Sequence, residues 1–211
     1  MQSNDPTLPE SLDELLLRAG FSANGEFDAL ILENLASSAA RHRILALRAG
    51  LRRGLLSADQ LVAGVTDPDV DVRRETLTLL AHEEIASDAL FRAILACLDD
   101  GDALVVDGAI FALGEHLYVG AVDRLCDIAA NHDDARCRES AIAALGEIGD
   151  ERGRAVVLAA LDDKPPVRRR AIVALTNFEG PDIDAALEKA SADRDWQVRA
   201  AVDQLARGEP D

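Results

Sequence analysis

An all-α solenoid of about six stacked helix pairs is the fold this sequence predicts, and three observations predict it. A short motif recurs along most of the chain. Each copy spaces its apolar residues as one face of an α-helix does. The apolar residues are mostly Ala, Leu, Val and Ile, with Trp196, Tyr118 and five Phe as the aromatics; a β-sandwich draws more on aromatic and β-branched residues.

The motif is an acidic turn followed by V-R-x-x-A-(I/L)-x-A-L. It is plain in Asp67–Leu80 (DPDVDVRRETLTLL) and in Asp162–Leu175 (DDKPPVRRRAIVAL). Asp102–Leu113 and Asp133–Leu145 lie between them, Asp193–Val202 is a last copy that drifts, and Ala40–Leu47 is a weaker first one. Taking the Val position as a marker gives Ala40, Val72, Val105, Cys137, Val167 and Val198, at intervals of 32, 33, 32, 30 and 31 residues. One helix pair cannot cover its own apolar faces, but stacked neighbours can, so a period of this length specifies a helical array.

The elements follow in order. Ser11-Leu-Asp-Glu14 has the form of a capping box and opens an extra N-terminal helix. Within a repeat the first helix begins at a Ser that caps free backbone N–H groups, as in Ser57–Val65 and Ser87–Leu98. The second helix runs from the marker with apolar residues at i, i+4, i+5 and i+8, in the fourth copy Cys137, Ala141, Ile142 and Leu145. Gly and Asp punctuate the joints, as in Gly146-Glu-Ile-Gly-Asp150. The expected organisation is one elongated domain over residues 11–207, with flexible ends at 1–10 and 208–211.

These residues resemble the HEAT repeat family, particularly the short bacterial form also found in phycobilin lyases. The likeness is strongest in Ala144-Leu-Gly-Glu-Ile-Gly-Asp150 followed by Val167-Arg168 and Ala171–Leu175, and covers roughly residues 26–207. It implies a ladder between adjacent repeats, with Asp67, Asp133, Asp162 and Asp193 at helix N-termini, where the backbone dipole favours an anion, and Arg73, Arg138, Arg168 and Arg199 as their cations. Copy three carries Val106 at the Arg position, so the ladder is expected to be weakest there.

The resemblance also brings enzymes into view. Deoxyhypusine hydroxylase repeats His-Glu pairs as iron ligands, whereas here His82-Glu83 stands alone, His42 precedes Arg43 and His116 follows Glu115. HEAT-like DNA glycosylases hold Trp and Asp in a basic groove. Trp196 and Asp195 invite that comparison, but the charge has the wrong sign, and Trp196 is expected to pack on a neighbouring helix. The phycobilin lyase likeness implies an alternative role as an accessory lyase or chaperone-like factor for a tetrapyrrole-bearing protein. The sequence contains no G-x-x-x-x-G-K-[ST], G-x-S-x-G or H-E-x-x-H, and no cofactor, metal site or enzymatic activity is expected.

Charge narrows the partners. With 39 acidic against 22 basic residues the net charge is −17. That opposes nucleic acids, which demand a basic footprint, and anionic membrane surfaces. Arg168-Arg-Arg170 with Lys164 is the most basic stretch and reads as one ladder Arg beside solvated side chains. Cys97, Cys126 and Cys137 form no C-x-x-C pair and read as small buried apolar residues. No secretory signal and no apolar run of about 20 residues is visible, and Arg outnumbers Lys twenty to two; a bacterial, cytoplasmic protein is expected.

A binding surface remains. In many HEAT-like solenoids the second helices line the concave side, where positions two, six and ten past each marker point outward. These are Arg74, Asp107, Glu139 and Arg169, then Thr78, Phe111, Ala143 and Val173, then His82, Glu115, Glu147 and Asn177. The middle row is apolar where a solvated helix carries charge, either because curvature buries it or because it meets a partner. The expected function is a non-enzymatic adaptor, scaffold or regulatory subunit. Its partner is a protein or peptide, a basic one if the acidic charge serves recognition rather than solubility.

Overall fold

The structure, a computed structural model, describes residues 11–85 and 87–207; the expected flexible ends lie outside them. The described residues form thirteen α-helices, linked in places by single 3-10 turns, and no strand. They group into two compact units that divide between Ala93 and Ile94.

The N-terminal unit contains α1 (Leu12–Ala19), α2 (Asp28–Asn34), α3 (Ala40–Arg52), α4 (Ala58–Val65), α5 (Val70–Leu80) and the start of α6 (Asp88–Ala96). Ser11 and Glu14 close the capping box that opens α1, and Ser57 and Gln60 do the same for α4. Helices α1, α2 and α5 each pack on α3, and α4 packs on α5. Leu16 meets Leu45 and Ala46 in one buried cluster, while Ala19, Ile31 and Ala49 form another.

The C-terminal unit contains α7 (Ala103–Glu115), α8 (Val122–Asn131), α9 (Ala135–Ile148), α10 (Arg154–Ala159), α11 (Pro165–Leu175), α12 (Pro181–Ala190) and α13 (Trp196–Arg207). The second helices α7, α9, α11 and α13 stack in that order; α8 and α10 pack on α9, and α12 on α13. Asp102 and Asp134 cap α7 and α9 by accepting from Leu104 and Arg136 N–H. Proline opens α11 and α12, where its missing N–H costs nothing. Val72, Val105, Cys137, Val167 and Val198 are fully buried, as are Ala141 and Ile142, with Leu145 nearly so. The helical spacing lies on the core face in copies two to five; in the drifting last copy Val198 is buried, but Asp203 and Ala206, five and eight residues on, are exposed.

The first copy differs from expectation. In the other five the marker is the third residue of its helix, and the third residue of α3 is His42, not Ala40. A two-residue offset turns the side chain about 200° around the helix. Counting from His42 places Ala46, Leu47 and Gly50 inside, whereas Arg48, eight past Ala40, is exposed.

Gly146 is not a joint. It lies inside α9, where a Cβ would stand 2.6 Å from the Cβ of Ala174 and 2.7 Å from its Cα. Gly114 meets Ala144 in the same way, at 2.9 and 3.2 Å. The two glycines let α7, α9 and α11 approach closely. The helix stop is Gly149, left-handed at φ 65°, whose N–H donates to the Leu145 carbonyl. Trp196 is not packed as expected but 67% exposed in the first turn of α13, the last helix described.

Candidate functional site

The repeated polar residues are joined into rungs. Arg43 donates Nε to Asp67 Oδ2 at 2.8 Å and Nη2 to Oδ1 at 2.7 Å. Arg138 holds Asp163 at 2.7 and 2.7 Å, and Arg168 holds Asp193 at 2.9 and 2.7 Å. Such paired bonds are the strong, directional form of the Arg–carboxylate contact. The Nη1 of each Arg donates to a carbonyl just upstream of its own helix: Ser37, His132 and Asp163. Arg73 and Arg199 make the same bond, to the carbonyls of Asp67 and Asp193.

Two ladder residues are corrected. Asp163, not Asp162, receives Arg138, because Asp162 ends a 3-10 turn while Asp163 also accepts from the Lys164 N–H. Asp133 lends only its backbone carbonyl, to Arg138. Its expected place belongs to His132, whose Nδ1 accepts the Asp134 N–H at 3.0 Å, as Asp67 and Asp193 accept the N–H two residues on. Both sides of that rung are therefore exchanged: Val106, buried, for Arg, and His132 for Asp.

The ladder leaves little for chemistry. Hydrogen bonds from Arg138 and Arg168 hold the Asp163 and Asp193 carboxyls below the usual carboxylate range. Cys97 and Cys137 are buried, and burial pushes the Cys137 thiol up to about 11 and the half-buried Cys126 thiol upward; thiols so placed are poor nucleophiles. Among the described residues no three His, Cys, Asp or Glu side chains gather to hold a metal, and His82 and Glu83 lie exposed just past α5. Asp195 caps α13, accepting the Gln197 N–H at 2.8 Å.

The expected surface strip divides between the units. Arg74, Thr78 and His82 belong to the N-terminal unit, where Arg74 pairs with Asp71 at 3.3 Å and the Thr78 hydroxyl donates to the Arg74 carbonyl. In the C-terminal unit a groove crosses α7, α9 and α11. Its wider part, 260 Å³, lies among Phe111 and Glu115 of α7, Glu139, Ala143 and Glu147 of α9, and Arg170 of α11. A narrow extension continues past Arg170 to Val173 and Asn177. Phe111 is 45% exposed, whereas Ala143 and Val173 are half-buried, so the apolar row forms both rim and wall. Gly114, Ala144, Gly146 and Ala174 also line the groove, at the close helix contacts.

Asp107 and Arg169 bear on this groove without lining it. Asp107 accepts from Ser140 Oγ at 2.5 Å, and exposed Arg169 stands 3.8 Å from Glu139. Ser140 and Arg170, each one residue past an expected position, line the groove and were missed. Their signal is the i+3 neighbour relation, which lets the flank of one helix face the next.

Stacked helix pairs joined by Arg–Asp rungs define the α-solenoid class. The family model for HEAT repeats matches residues 58–145 and 122–206, and the chain belongs to that family. No curated protein matches it. Among solved structures, the E. coli protein YibA is 18% identical with a TM-score of 0.64, over 94% of this chain and 75% of that one. An engineered protein is 19% identical with a TM-score of 0.62, over 84% and 94%. A designed armadillo repeat protein in complex with the peptide (KR)4 is 17% identical with a TM-score of 0.57, over 95% and 100%. At these identities the likeness shows the fold alone. Among the described residues no helix is long and apolar enough to cross a membrane.

Proposed function

We propose that this protein is a non-enzymatic interaction module, a cytoplasmic adaptor, scaffold or regulatory subunit, that holds a segment of another protein in the α7–α9–α11 groove. The observation that carries this reading is Phe111, an aromatic ring 45% exposed at a preformed groove rimmed by carboxylates. Exposed apolar surface framed by charge is the composition of a partner site, and a groove built on packed helices loses little entropy on binding. The charge of −17 favours a basic partner through steering. A designed protein of similar fold, solved with (KR)4, supports a peptide as the ligand.

Fluorescence anisotropy with labelled (KR)4 tests this reading. Phe111→Ser combined with Glu147→Lys should weaken binding at least about tenfold, about 1.4 kcal/mol, with the helical circular dichroism unchanged. Equal affinity for both proteins removes the groove as the interface.

A further inference from the structure

The groove is not uniformly charged. On its α7–α9 side Glu115 lines the wider part and Glu147 both parts, and neither has an ion-pair partner among the described residues. On its α11 side Arg170 lines both parts, and exposed Arg169 stands beside it, 3.8 Å from Glu139. Phe111, Ala143 and Val173 supply the apolar surface along the way. A wholly basic segment satisfies the carboxylates but then meets the Arg170 guanidinium, with Arg169 just outside the groove.

We infer that the groove, if the binding reading above holds, takes an extended, charge-polarised segment. A Lys or Arg lies toward Glu115 and Glu147 with its stem over the Phe111 ring, an apolar residue follows against Ala143, and an Asp or Glu reaches Arg169 and Arg170. Packed helices stand about 8–10 Å apart and an extended chain advances about 3.3 Å per residue. The two charges of the ligand are therefore separated by roughly three to six residues, one or two helix steps. Opposed charges at the two ends also fix the direction in which the segment lies, since the reversed pose sets like charges together.

Three blocked, labelled peptides binding the full chain at low salt test this. The first carries one Arg, a Leu next to it and a Glu four residues after the Arg; the second has Arg in place of that Glu; the third has Glu in place of that Arg. The first should bind tightest, and the second about tenfold more weakly. Arg169→Glu with Arg170→Glu should reverse the preference between the first two, and Glu115→Lys with Glu147→Lys should favour the third, with melting temperatures confirming that both variants fold. If the second peptide equals or exceeds the first on the unmodified protein, the polarity is overturned while the groove remains a binding surface. If none binds below about 1 mM, or binding ignores these variants and Phe111→Ser, both inferences fall.

Discussion

Arg168 reaches Asp193 through two parallel hydrogen bonds of 2.9 and 2.7 Å, from a guanidinium only 4% exposed. Removing the carboxylate leaves a mostly buried cation without its two hydrogen-bond acceptors, with only Asp162 and Asp195 nearby to offset its charge. Asp193→Ala should cost about 2–3 kcal/mol, read from urea midpoints. Truncating Arg168 as well should cost little more, because the second change removes the orphan created by the first. Fully additive losses would mean that the rung is not coupled.

Acid should dissolve the rungs. Their Arg partners hold Asp163 and Asp193 below the ordinary carboxylate range, so the folded pKa lies under the unfolded one, about 3.9. The stabilisation is complete above that unfolded value and is lost as pH falls through the lower, folded values. Denaturation midpoints measured from pH 6 to pH 3 should therefore fall less steeply for Asp163→Asn with Asp193→Asn than for the unmodified protein.

The exchanged rung can be restored. Val106→Arg alone places a guanidinium where a fully buried side chain stood and should destabilise. Adding His132→Asp supplies the carboxylate found in the other rungs. A double-mutant cycle should show favourable coupling of about 2 kcal/mol; zero coupling would mean that α7 and α9 are not disposed as α9 and α11 are.

Gly146→Ala sets two effects against each other. Alanine in a helix interior ordinarily gains about 1 kcal/mol over glycine. Here its Cβ would fall 2.6 and 2.7 Å from Ala174 Cβ and Cα, so backbone has to move, at a cost of about 1–3 kcal/mol. Thermal melts should show a net loss, recovered in part by Ala174→Gly. A raised melting temperature would contradict the close approach of α9 and α11.

The core face was legible where the motif ran on behind its Val, since Val72, Val105 and Val167 announce both register and burial, whereas Val198 announces its own burial alone. Copy one lacks that Val and offers two arginines, Arg41 and Arg43, on either side of His42. Only the side of the helix that each choice buries decides between them, and Arg48 at a would-be core position was the available warning. The choice between Asp162 and Asp163 depends on where a 3-10 turn ends, which residue type alone does not encode. The α7 and α9 share of the groove followed from helical spacing through Phe111, Glu115 and Glu139. Ser140 and Arg170 did not, because a groove between helices has two walls and a single helix projection shows one.

Each rung joins an Arg of one copy to the Asp of the next, and this bears on how the gene can change length. Loss of residues 106–137 would fuse Val105 to Arg138, delete Val106 and His132 together, and leave Arg138 facing Asp163. A loss of one period beginning instead at Val122 would remove His132 but keep Val106, stranding Asp163 without its cation. Recombination can thus add or drop copies cheaply only at breakpoints that keep the exchanged partners on the same side of the cut.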